Sequence, residues 1–429
     1  MTSVVGYSAD ELPLARLGAY GLFRMPLALL ELPLFVLLPA FYSQQLGVSL
    51  ALVGAVLLGA RLVDALLDPL IGAAIDSSRF AYRRWILMAS PLLALGFAMM
   101  LMPPQLGTTG LALWLALTSL VTYLAWSTCS IAYQAWGAAL GGSAAQQVRL
   151  AGTREAFGLI GVLGSAALLL PERVRVLVLC FVPLLLIALL ALSYAPSPPA
   201  RVLAGTWHGV GQAISTPWKQ ALSNRRYRWL LAVFAVNGIA SALPATLLLF
   251  FAGDVLGAPE RVPVFLLVYF AAAALVMPIW VRVGARIGPA PAWLAGMGIA
   301  VLGFVWALGL GEGDVTAFAV VCALTGVALG ADLAMPPALL AGVIGASGDR
   351  GRHEGMYFGV WNTVTKLVLA GAAGLGLPLL ALMGYEPGER NSAVDGLMFA
   401  YAGLPCLIKT AAGLLLVVSP AWREARQSE

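Results

Sequence analysis

The most constraining feature of this chain is a group of charges inside a segment apolar enough to cross a membrane. The segment covers about residues 50–75 and contains Arg61, Asp64 and Asp68. At about 100° per residue, these three side chains fall within an arc of roughly 60° on one helix face. Each charge costs roughly 2.5–3.5 kcal/mol at the centre of a spanning helix, so this face is expected to avoid lipid. The pattern predicts either a site that takes up and releases a cation or a proton, or a static buried ion cluster.

The composition is that of a protein that crosses the membrane many times. Of the 429 residues, 61% are hydrophobic and 10% are charged, whereas about a quarter of a soluble domain is charged. The net charge of +5 and the scatter of arginines among loops argue against nucleic-acid binding. Four separated cysteines and two histidines predict no disulfide framework and no metal site except one for sodium. We find no catalytic set of side chains and expect no enzyme activity and no cofactor.

Apolar runs of about 17–25 residues predict twelve spanning helices in an all-α membrane protein. The predicted spans are 14–42, 50–75, 85–103, 109–136, 154–171, 175–195, 228–252, 262–284, 290–310, 316–344, 356–384 and 397–419. The longest polar connection divides them into two groups of six. We therefore predict an N-terminal half at 1–195, a cytoplasmic central linker at 196–227 and a C-terminal half at 228–429. Two pseudo-symmetric six-helix halves around a midplane site are typical of transporters.

The distribution of lysine and arginine predicts the orientation in the membrane. With the N-terminus inside, 17 of the 25 basic residues fall at the inner side and four in outer loops. The positive-inside rule then predicts that both termini are cytoplasmic. The chain contains only three lysines, and its preference for arginine is typical of a GC-rich bacterial genome. We expect a multi-pass protein of a bacterial inner membrane that functions as a monomer in the lipid bilayer.

The end of the second span and the loop after it predict an inner gate. Gly72 and Asp76 precede three arginines there, and this pattern resembles the loop after helix two in the major facilitator superfamily. A glycine permits close helix contact, and the carboxylate can hold neighbouring helix ends and basic groups. An arginine at the start of the fifth span is assigned to the same gate. The predicted gate residues are Gly72, Asp76, Arg79, Arg83, Arg84 and Arg154.

Polar side chains of the first and fourth spans have two interpretations each. Arg24 and Glu31 are seven residues apart and lie about 20° from each other around the helix. They form either an ion pair or part of a substrate site. Ser127 and Ser130 share a face of the fourth span, and Tyr133 is either an interfacial anchor or a stacking surface for a sugar ring or an amphipathic ligand.

The tenth, eleventh and twelfth spans each carry one charged residue that is expected to lie within the membrane. Asp332 precedes Pro336 and Pro337, which predicts an interrupted helix beside a buried carboxylate. Lys366 requires a partner on another helix, for which Asp332 or an aspartate of the second span is suitable, and Lys409 is interpreted as extending towards the membrane surface. The predicted substrate cavity comprises Arg24, Glu31, Arg61, Tyr133, Asp332, Trp361, Asn362 and Lys366.

Several motifs in both halves resemble the glycoside-pentoside-hexuronide:cation symporters, the melibiose-permease-like branch of the major facilitator superfamily. These motifs are Phe41-Tyr42 with Leu46-Gly47, 61–84, 133–154 and 352–385. The resemblance implies the major facilitator fold and transport by alternating access. It also implies that Arg154 and Lys366 match an arginine of helix five and a lysine of helix eleven in that family.

The resemblance implies a cation-coupling site as well. Asp64 and Asp68 occupy the positions of the cation-site carboxylates, and Ser127 matches a hydroxyl ligand. Where melibiose permease has a carboxylate on helix four that serves both sugar and cation, this chain has Ser130. The predicted cation-coupling set is therefore Asp64, Asp68, Ser127 and Ser130, with H⁺ or Na⁺ as the coupling ion. A proton is slightly preferred because Arg61 already supplies a fixed positive charge.

These observations predict a secondary active transporter, a cation-coupled symporter of a small glycoside-like or amphipathic solute. One alternative is a lipid or lysophospholipid flippase of the same fold, which resembles the lysophospholipid-carrying relatives and suits a cavity of low polarity. A second alternative is a non-transporting membrane receptor or scaffold, which would need a sizeable soluble extension. The expected partners are thus a small-molecule or lipid-like substrate and the bilayer.

Overall fold

In the computed structural model, the described residues form helices and connecting turns, without β-strands among them. These residues are 12–168, 174–198, 218–385, 394–420 and 422. The middle of the predicted linker, 199–217, lies outside this set, as does the predicted C-terminal end of the fifth span.

Helices α1 to α12, numbered in chain order, correspond to the twelve predicted spans. Helix α1 is interrupted: its α-helical parts are Leu14–Gly21, Arg24–Leu29 and Leu38–Ala40, and π-helical turns occupy Pro33–Leu37 and Phe41–Gln45. The next five helices are α2 Leu50–Ser77, α3 Tyr82–Leu101, α4 Thr108–Ala139, α5 Ala144–Ala167 and α6 Val174–Leu192. The last six are α7 Arg225–Val255, α8 Val262–Ile287, α9 Pro289–Val305, α10 Val315–Ala346, α11 Glu354–Leu382 and α12 Val394–Val418. Within the described residues, nine helices meet the length and hydropathy expected of a membrane span.

The predicted start of the fifth span was wrong by ten residues. Helix α5 begins at Ala144, not at 154, because the hydroxyl of Ser143 accepts a hydrogen bond from the backbone N–H of Gln146 and caps the helix. Its first turns are polar, and Gln146 and Gln147 are nevertheless buried. A search for apolar runs therefore missed these turns.

The predicted interruption of the tenth span is also wrong. Helix α10 continues from Val315 to Ala346 with Pro336 and Pro337 inside it. Two prolines remove two backbone donors, but membrane helices tolerate this loss when neighbouring helices and local adjustments satisfy the freed carbonyl groups. Asp332 therefore lies on a continuous helix.

Helix α2 turns its charged face inward and its apolar face outward. Asp64 and Asp68 are buried, with Asp68 completely inaccessible, whereas Leu62, Val63 and Leu66 are exposed and Leu66 is 70% accessible. This arrangement is the reverse of a soluble amphipathic helix. It is the one expected when the surroundings are hydrocarbon, because leucine and valine are stable there and a carboxylate is not.

The chain divides into two compact units. The first contains Met1–Ser223 and Ile344–Thr363, and the second contains Asn224–Val343 and Val364–Glu429. The first turns of α11 thus belong to the first unit and the remainder of α11 to the second. The predicted halves at 1–195 and 228–429 stay a prediction.

Within the first unit, α2 and the start of α11 touch backbone to backbone. A Cβ atom at Gly72 would lie 2.0 Å from the carbonyl oxygen of Gly355, and one at Gly359 would lie 2.5 Å from that of Asp68. One turn further, the hydroxyl of Thr363 donates to the carbonyl of Ala65 at 2.8 Å. Both helices therefore need glycine where they cross.

Replacing Gly72 with alanine is expected to destabilise the protein by about 1–3 kcal/mol, because the methyl group has no room and the helices must separate. Gly59→Ala is the matched control, since Gly59 lies on the same helix and a Cβ atom there meets nothing within 4 Å. The control should gain about 0.5–1 kcal/mol from helix propensity. Thermal unfolding of the purified proteins in one detergent measures both changes. Equal melting temperatures for the two variants would contradict the predicted clash.

Candidate functional site

The carboxylates of α2 lie in the interior of the first unit. Asp64 is 3% accessible, and its Oδ1 atom accepts a hydrogen bond from the hydroxyl of Ser127 on α4 at 2.8 Å. Asp68 lies one turn later and is completely buried. Buried carboxylates require hydrogen bonds and positive charge in their surroundings. The structure thus brings together two of the four predicted coupling residues, Asp64 and Ser127.

Ser130, the fourth predicted coupling residue, takes part in a different contact. Its hydroxyl accepts a hydrogen bond from the amide Nε2 of Gln134 at 2.9 Å, and the same nitrogen donates to Oδ1 of Asn362 at 3.3 Å. Asn362 and its buried neighbour Trp361 come from the start of α11. Gln134 had no predicted role, although its spacing of four from Ser130 places both residues on one helix face.

Arg61 lies against an aromatic ring of α4. Its guanidinium carbon is 5.0 Å from the ring centroid of Tyr123, which is buried. A guanidinium over an aromatic face is stabilised by the negative potential of the ring. This contact holds a positive charge three residues before Asp64. Tyr123 carried no signal in the sequence, since the contact depends on how α2 and α4 pack.

Four charges of α1 and α5 form a partly buried cluster in the first unit. The guanidinium of Arg24 contacts the carboxylates of Glu31 at 2.7 Å and Glu155 at 3.5 Å. The guanidinium of Arg154 contacts Glu155 at 2.8 Å. The formal charges of the cluster sum to zero. Arg24 and Glu31 thus form an ion pair, and their part in a substrate site stays a prediction. Arg154, assigned above to the inner gate, lies in this cluster.

Tyr133 packs α4 against α1. Its hydroxyl donates to the carbonyl of Tyr20 at 2.7 Å, while the hydroxyl of Tyr20 donates to the carbonyl of Tyr133 at 2.9 Å. The two ring centroids are 4.5 Å apart, and Tyr133 is only 1% accessible. The structure therefore places this predicted cavity residue inside helix packing, where its hydroxyl is used by the backbone.

Asp76 connects the end of α2 to the beginning of α11. Its carboxylate oxygens accept hydrogen bonds from the backbone N–H groups of Gly355 at 2.9 Å and Met356 at 2.7 Å. The first N–H groups of a helix have no partner within the helix, and the helix dipole favours a negative charge there. The hydroxyl of Tyr82 donates to the carboxylate of Glu354 at 3.2 Å in the same region.

The predicted gate arginines lie on the surface near this contact. Arg79, Arg83 and Arg84 are all exposed, and the guanidinium carbon of Arg84 is 3.9 Å from the ring centroid of Phe80. Among the predicted gate residues, the structure therefore brings Gly72 and Asp76 into one contact with α11 and leaves these three arginines outside it.

The loop before α11 contains a histidine. Burial lowers the pKa of His353 and Arg352 acts in the same direction, although Asp349 opposes the shift. The lowered pKa favours the neutral ring, and one of its nitrogens lies 3.0 Å from the amide nitrogen of Gln220. Asp349 is engaged by the hydroxyl of Tyr357 at 2.7 Å. These contacts fix the loop that leads into the Asp76 contact.

Asp332 forms a closed polar network in the second unit. It pairs with the ammonium group of Lys409 at 2.7 Å and accepts hydrogen bonds from Asn237 at 3.1 Å and Trp293 at 2.8 Å. Lys409 also donates to Asn237 at 2.8 Å and to Ser241 at 3.1 Å. The network joins α7, α9, α10 and α12.

The network corrects two interpretations of the sequence. Lys409 is 8% accessible and does not extend to the membrane surface. Asp332 is paired with Lys409, and the partner proposed for it, Lys366, lies half-buried on α11. In membrane surroundings a lysine finds its partner through helix packing, which the spacing within one helix does not reveal.

Sequence comparison identifies the family of this chain. The family model described as MFS/sugar transport protein matches residues 19–421. The chain belongs to this family. The predicted recognition of a major-facilitator symporter family is therefore confirmed, and the absence of enzyme activity follows because the members of the MFS/sugar transport family are transporters.

Two symporters are similar to part of the chain. The inner membrane symporter YicJ of Escherichia coli is 26% identical over 134 residues, which cover 30% of this chain and 29% of YicJ. The uncharacterized symporter YjmB of Bacillus subtilis is 25% identical over 130 residues, 29% of this chain and 28% of YjmB. The matched segment spans less than a third of these relatives.

Solved structures of the same architecture cover almost the whole chain. The fucose:proton symporter FucP of E. coli superposes with a TM-score of 0.65 at 14% identity, over 94% of this chain and 97% of FucP. A bacterial homologue of the iron transporter ferroportin, in an outward-facing state, superposes with a TM-score of 0.68 at 14% identity. This match covers 96% of this chain and 100% of the homologue. The predicted fold class, the all-helical major facilitator fold, is confirmed. The chain is a multi-pass membrane protein of the MFS/sugar transport family.

Removing the charge of Lys409 is expected to destabilise this MFS/sugar transport protein by about 3–5 kcal/mol, because Asp332 is left as a buried charge without its cation. Lys409→Met should therefore melt well below the wild type. The double variant Lys409→Met with Asp332→Asn should recover much of the loss, since no uncompensated charge remains. Differential scanning fluorimetry in detergent measures the three melting temperatures.

Arg261→Met is the control for that experiment, because Arg261 and its partner Glu260 are 59% and 69% exposed and 3.8 Å apart. Exposed pairs contribute little, so this variant should melt like the wild type. A double variant that is no more stable than Lys409→Met would argue against the pairing as the cause.

Proposed function

We propose that the protein is a cation-coupled symporter in which Asp64 and Asp68 bind the coupling ion. The observation that carries the proposal is the hydrogen bond from Ser127 to Asp64 at 2.8 Å beside the fully buried Asp68. Carboxylate and hydroxyl oxygens are the ligands that Na⁺ takes, and a buried carboxyl group can also hold a proton. The symporter relatives support this reading.

The formal charges of α2 support a role for a cation at this place. Arg61, Asp64 and Asp68 sum to one negative charge, while the cluster around Arg24 and the Asp332 pair are each neutral. A bound H⁺ or Na⁺ would bring the sum for these three side chains to zero. We retain the slight preference for a proton, because the guanidinium of Arg61 already supplies one fixed cation next to the site.

We propose that the Asp76 contact is an inner gate. Its hydrogen bonds to Gly355 and Met356, and the glycine contact at Gly72, would have to break for α2 and α11 to separate at this end. The coupling carboxylates lie on the same helix, eight and twelve residues before Asp76. Ion binding there would therefore alter the position of a helix that also carries the gate.

The substrate that we propose is a small glycoside-like or amphipathic solute, with the melibiose-permease-like symporters as the nearest functional class. A lipid or lysophospholipid flippase is the alternative that one observation favours, namely the largely apolar lining of a cavity in the second unit. Membership of a transporter family speaks against a receptor or scaffold. A thermal-shift screen of sugars, glycosides and lysolipids, with and without sodium, separates the two substrate classes.

Asp64→Asn and Asp68→Asn are each expected to abolish ion-driven accumulation of the solute that this screen identifies. Without a titratable carboxylate, ion and solute binding no longer depend on each other, and the internal-to-external ratio should fall to about one. Uptake into proteoliposomes under a proton gradient or a sodium gradient measures this ratio. Glu260→Gln makes the same carboxyl-to-amide change at an exposed position and should accumulate solute like the wild type. Full accumulation by both aspartate variants would exclude the coupling role.

We propose an inner-membrane location with both termini in the cytoplasm, as the positive-inside rule predicts. A green fluorescent protein fused after Glu429 should then fluoresce in bacteria, whereas alkaline phosphatase at the same position should be inactive. The reverse pattern would place the C-terminus in the periplasm. Fusions at Ala258, between α7 and α8, test the opposite side and should show active phosphatase.

A further inference from the structure

The second unit contains a cavity to which the coupling hypothesis assigns no role. The cavity has a volume of about 900 Å³, including the part open to solvent, and α7, α8, α9, α10 and α12 line it. Asp332 and Lys409 form one part of its wall, and aromatic side chains form much of the remainder.

The charged part of the wall has no net charge to offer a ligand. The three ammonium hydrogens of Lys409 are matched by three acceptors, on Asp332, Asn237 and Ser241. The carboxylate of Asp332 accepts hydrogen bonds from that ammonium group and from the side-chain nitrogens of Asn237 and Trp293. A charged ligand would enter this apolar space without a counter-ion, which is strongly unfavourable. The wall therefore selects an uncharged ligand.

The cavity nevertheless provides hydrogen-bonding groups. Tyr269 lines it and is only half-buried, and within the part of the chain that the structure describes its hydroxyl has no hydrogen-bond partner. The hydroxyl of Thr325 also lines the cavity and donates to the carbonyl of Val321, which leaves its oxygen able to accept. One donor and one acceptor on neighbouring helices suit a ligand hydroxyl group, which both donates and accepts.

The aromatic part of the lining suits an apolar body. Phe304, Phe318 and Tyr401 pack together, with ring centroids 5.4 Å apart for Phe304 and Tyr401 and 6.1 Å apart for Phe318 and Tyr401. Such surfaces bind alkyl chains and rings through burial of apolar area and contribute little to the binding of strongly hydrated molecules.

We propose that this cavity is a binding site for an uncharged amphipathic alcohol, held by its hydroxyl group at Tyr269 and Thr325 and by its apolar body among the aromatic rings. The site lies within the second unit. Its occupation does not depend on Asp64 or Asp68, so the proposal stands apart from the coupling hypothesis.

Photolabelling of the full-length protein in lipid nanodiscs with 3-azioctanol, an octanol that carries a diazirine, tests the proposal. Mass spectrometry should find adducts on peptides that contain cavity residues, and excess octanol should remove them. At pH 7.5, octanoate and octylammonium at the same concentration should compete at least about tenfold less well, because both are charged. Equal competition by either charged compound would overturn the selection for an uncharged ligand.

Matched substitutions on one helix locate the label. Ala245 lines the cavity and is exposed, so Ala245→Trp should fill space and remove the octanol-sensitive adducts. Leu249 lies one turn later, is 65% exposed and is absent from the cavity lining, so Leu249→Trp should leave them unchanged. Should Ala245→Trp fail to fold, Leu266→Trp in the lining and Leu267→Trp beside it on α8 form a second pair.

The substitution Tyr269→Phe tests the role of the Tyr269 hydroxyl group. Tyr269→Phe should raise the octanol concentration needed for half-competition by roughly two- to tenfold, as expected for the loss of one hydrogen bond. Adducts that persist in both tryptophan variants of the lining, or that spread over lipid-facing helices without competition by octanol, would overturn the site. An unchanged half-competition concentration in Tyr269→Phe would overturn the role of this hydroxyl.

Discussion

The fold depends on the free-energy cost of placing a charged side chain in the hydrocarbon of the membrane. A charged side chain within a spanning helix must find a partner inside the protein, since lipid offers none. Arg24 with Glu31 in the first unit and Asp332 with Lys409 in the second meet this requirement through contacts of 2.7 Å. Helix α2 meets it by orientation, because its charges face inward and Leu66 on its opposite side is 70% exposed. These residues therefore have to face other helices and not lipid.

Helix α2 also places its polar groups at a regular interval. Asp64, Asp68, Gly72 and Asp76 are each four residues apart and drift by about 40° per step around the helix. Residues of α11 at the same spacing of four contact this face of α2. Gly355 lies against Gly72, Gly359 lies against Asp68, and Thr363 bonds to Ala65. The two helices therefore run antiparallel along one line of contact. The candidate ion site and the candidate gate are two parts of that line of contact.

The sequence predicted those structural features that depend on the spacing of residues within one helix. The twelve helices, the inward face of α2 and the contact of Gly72 and Asp76 with another helix all follow from the positions of apolar, acidic and glycine residues. Pairings between distant helices were not predictable in this way. Lys409 and Asp332 are 77 residues apart, and Arg61 meets Tyr123 only because α2 and α4 pack together. The polar start of α5 was missed because its burial comes from tertiary contacts, while its hydropathy is that of a loop.

The buried aspartates of the two units have different hydrogen-bond partners, and this difference bears on the proposed transport mechanism. In the second unit, Lys409 neutralises the charge of Asp332, whose carboxylate accepts two further hydrogen bonds from Asn237 and Trp293. In the first unit, Asp64 accepts a hydrogen bond from the neutral hydroxyl group of Ser127. A neutral donor can rotate away when a cation arrives, whereas an ammonium group must be displaced against its full charge. We therefore assign the exchangeable cation of the proposed mechanism to the first unit and the uncharged ligand to the second.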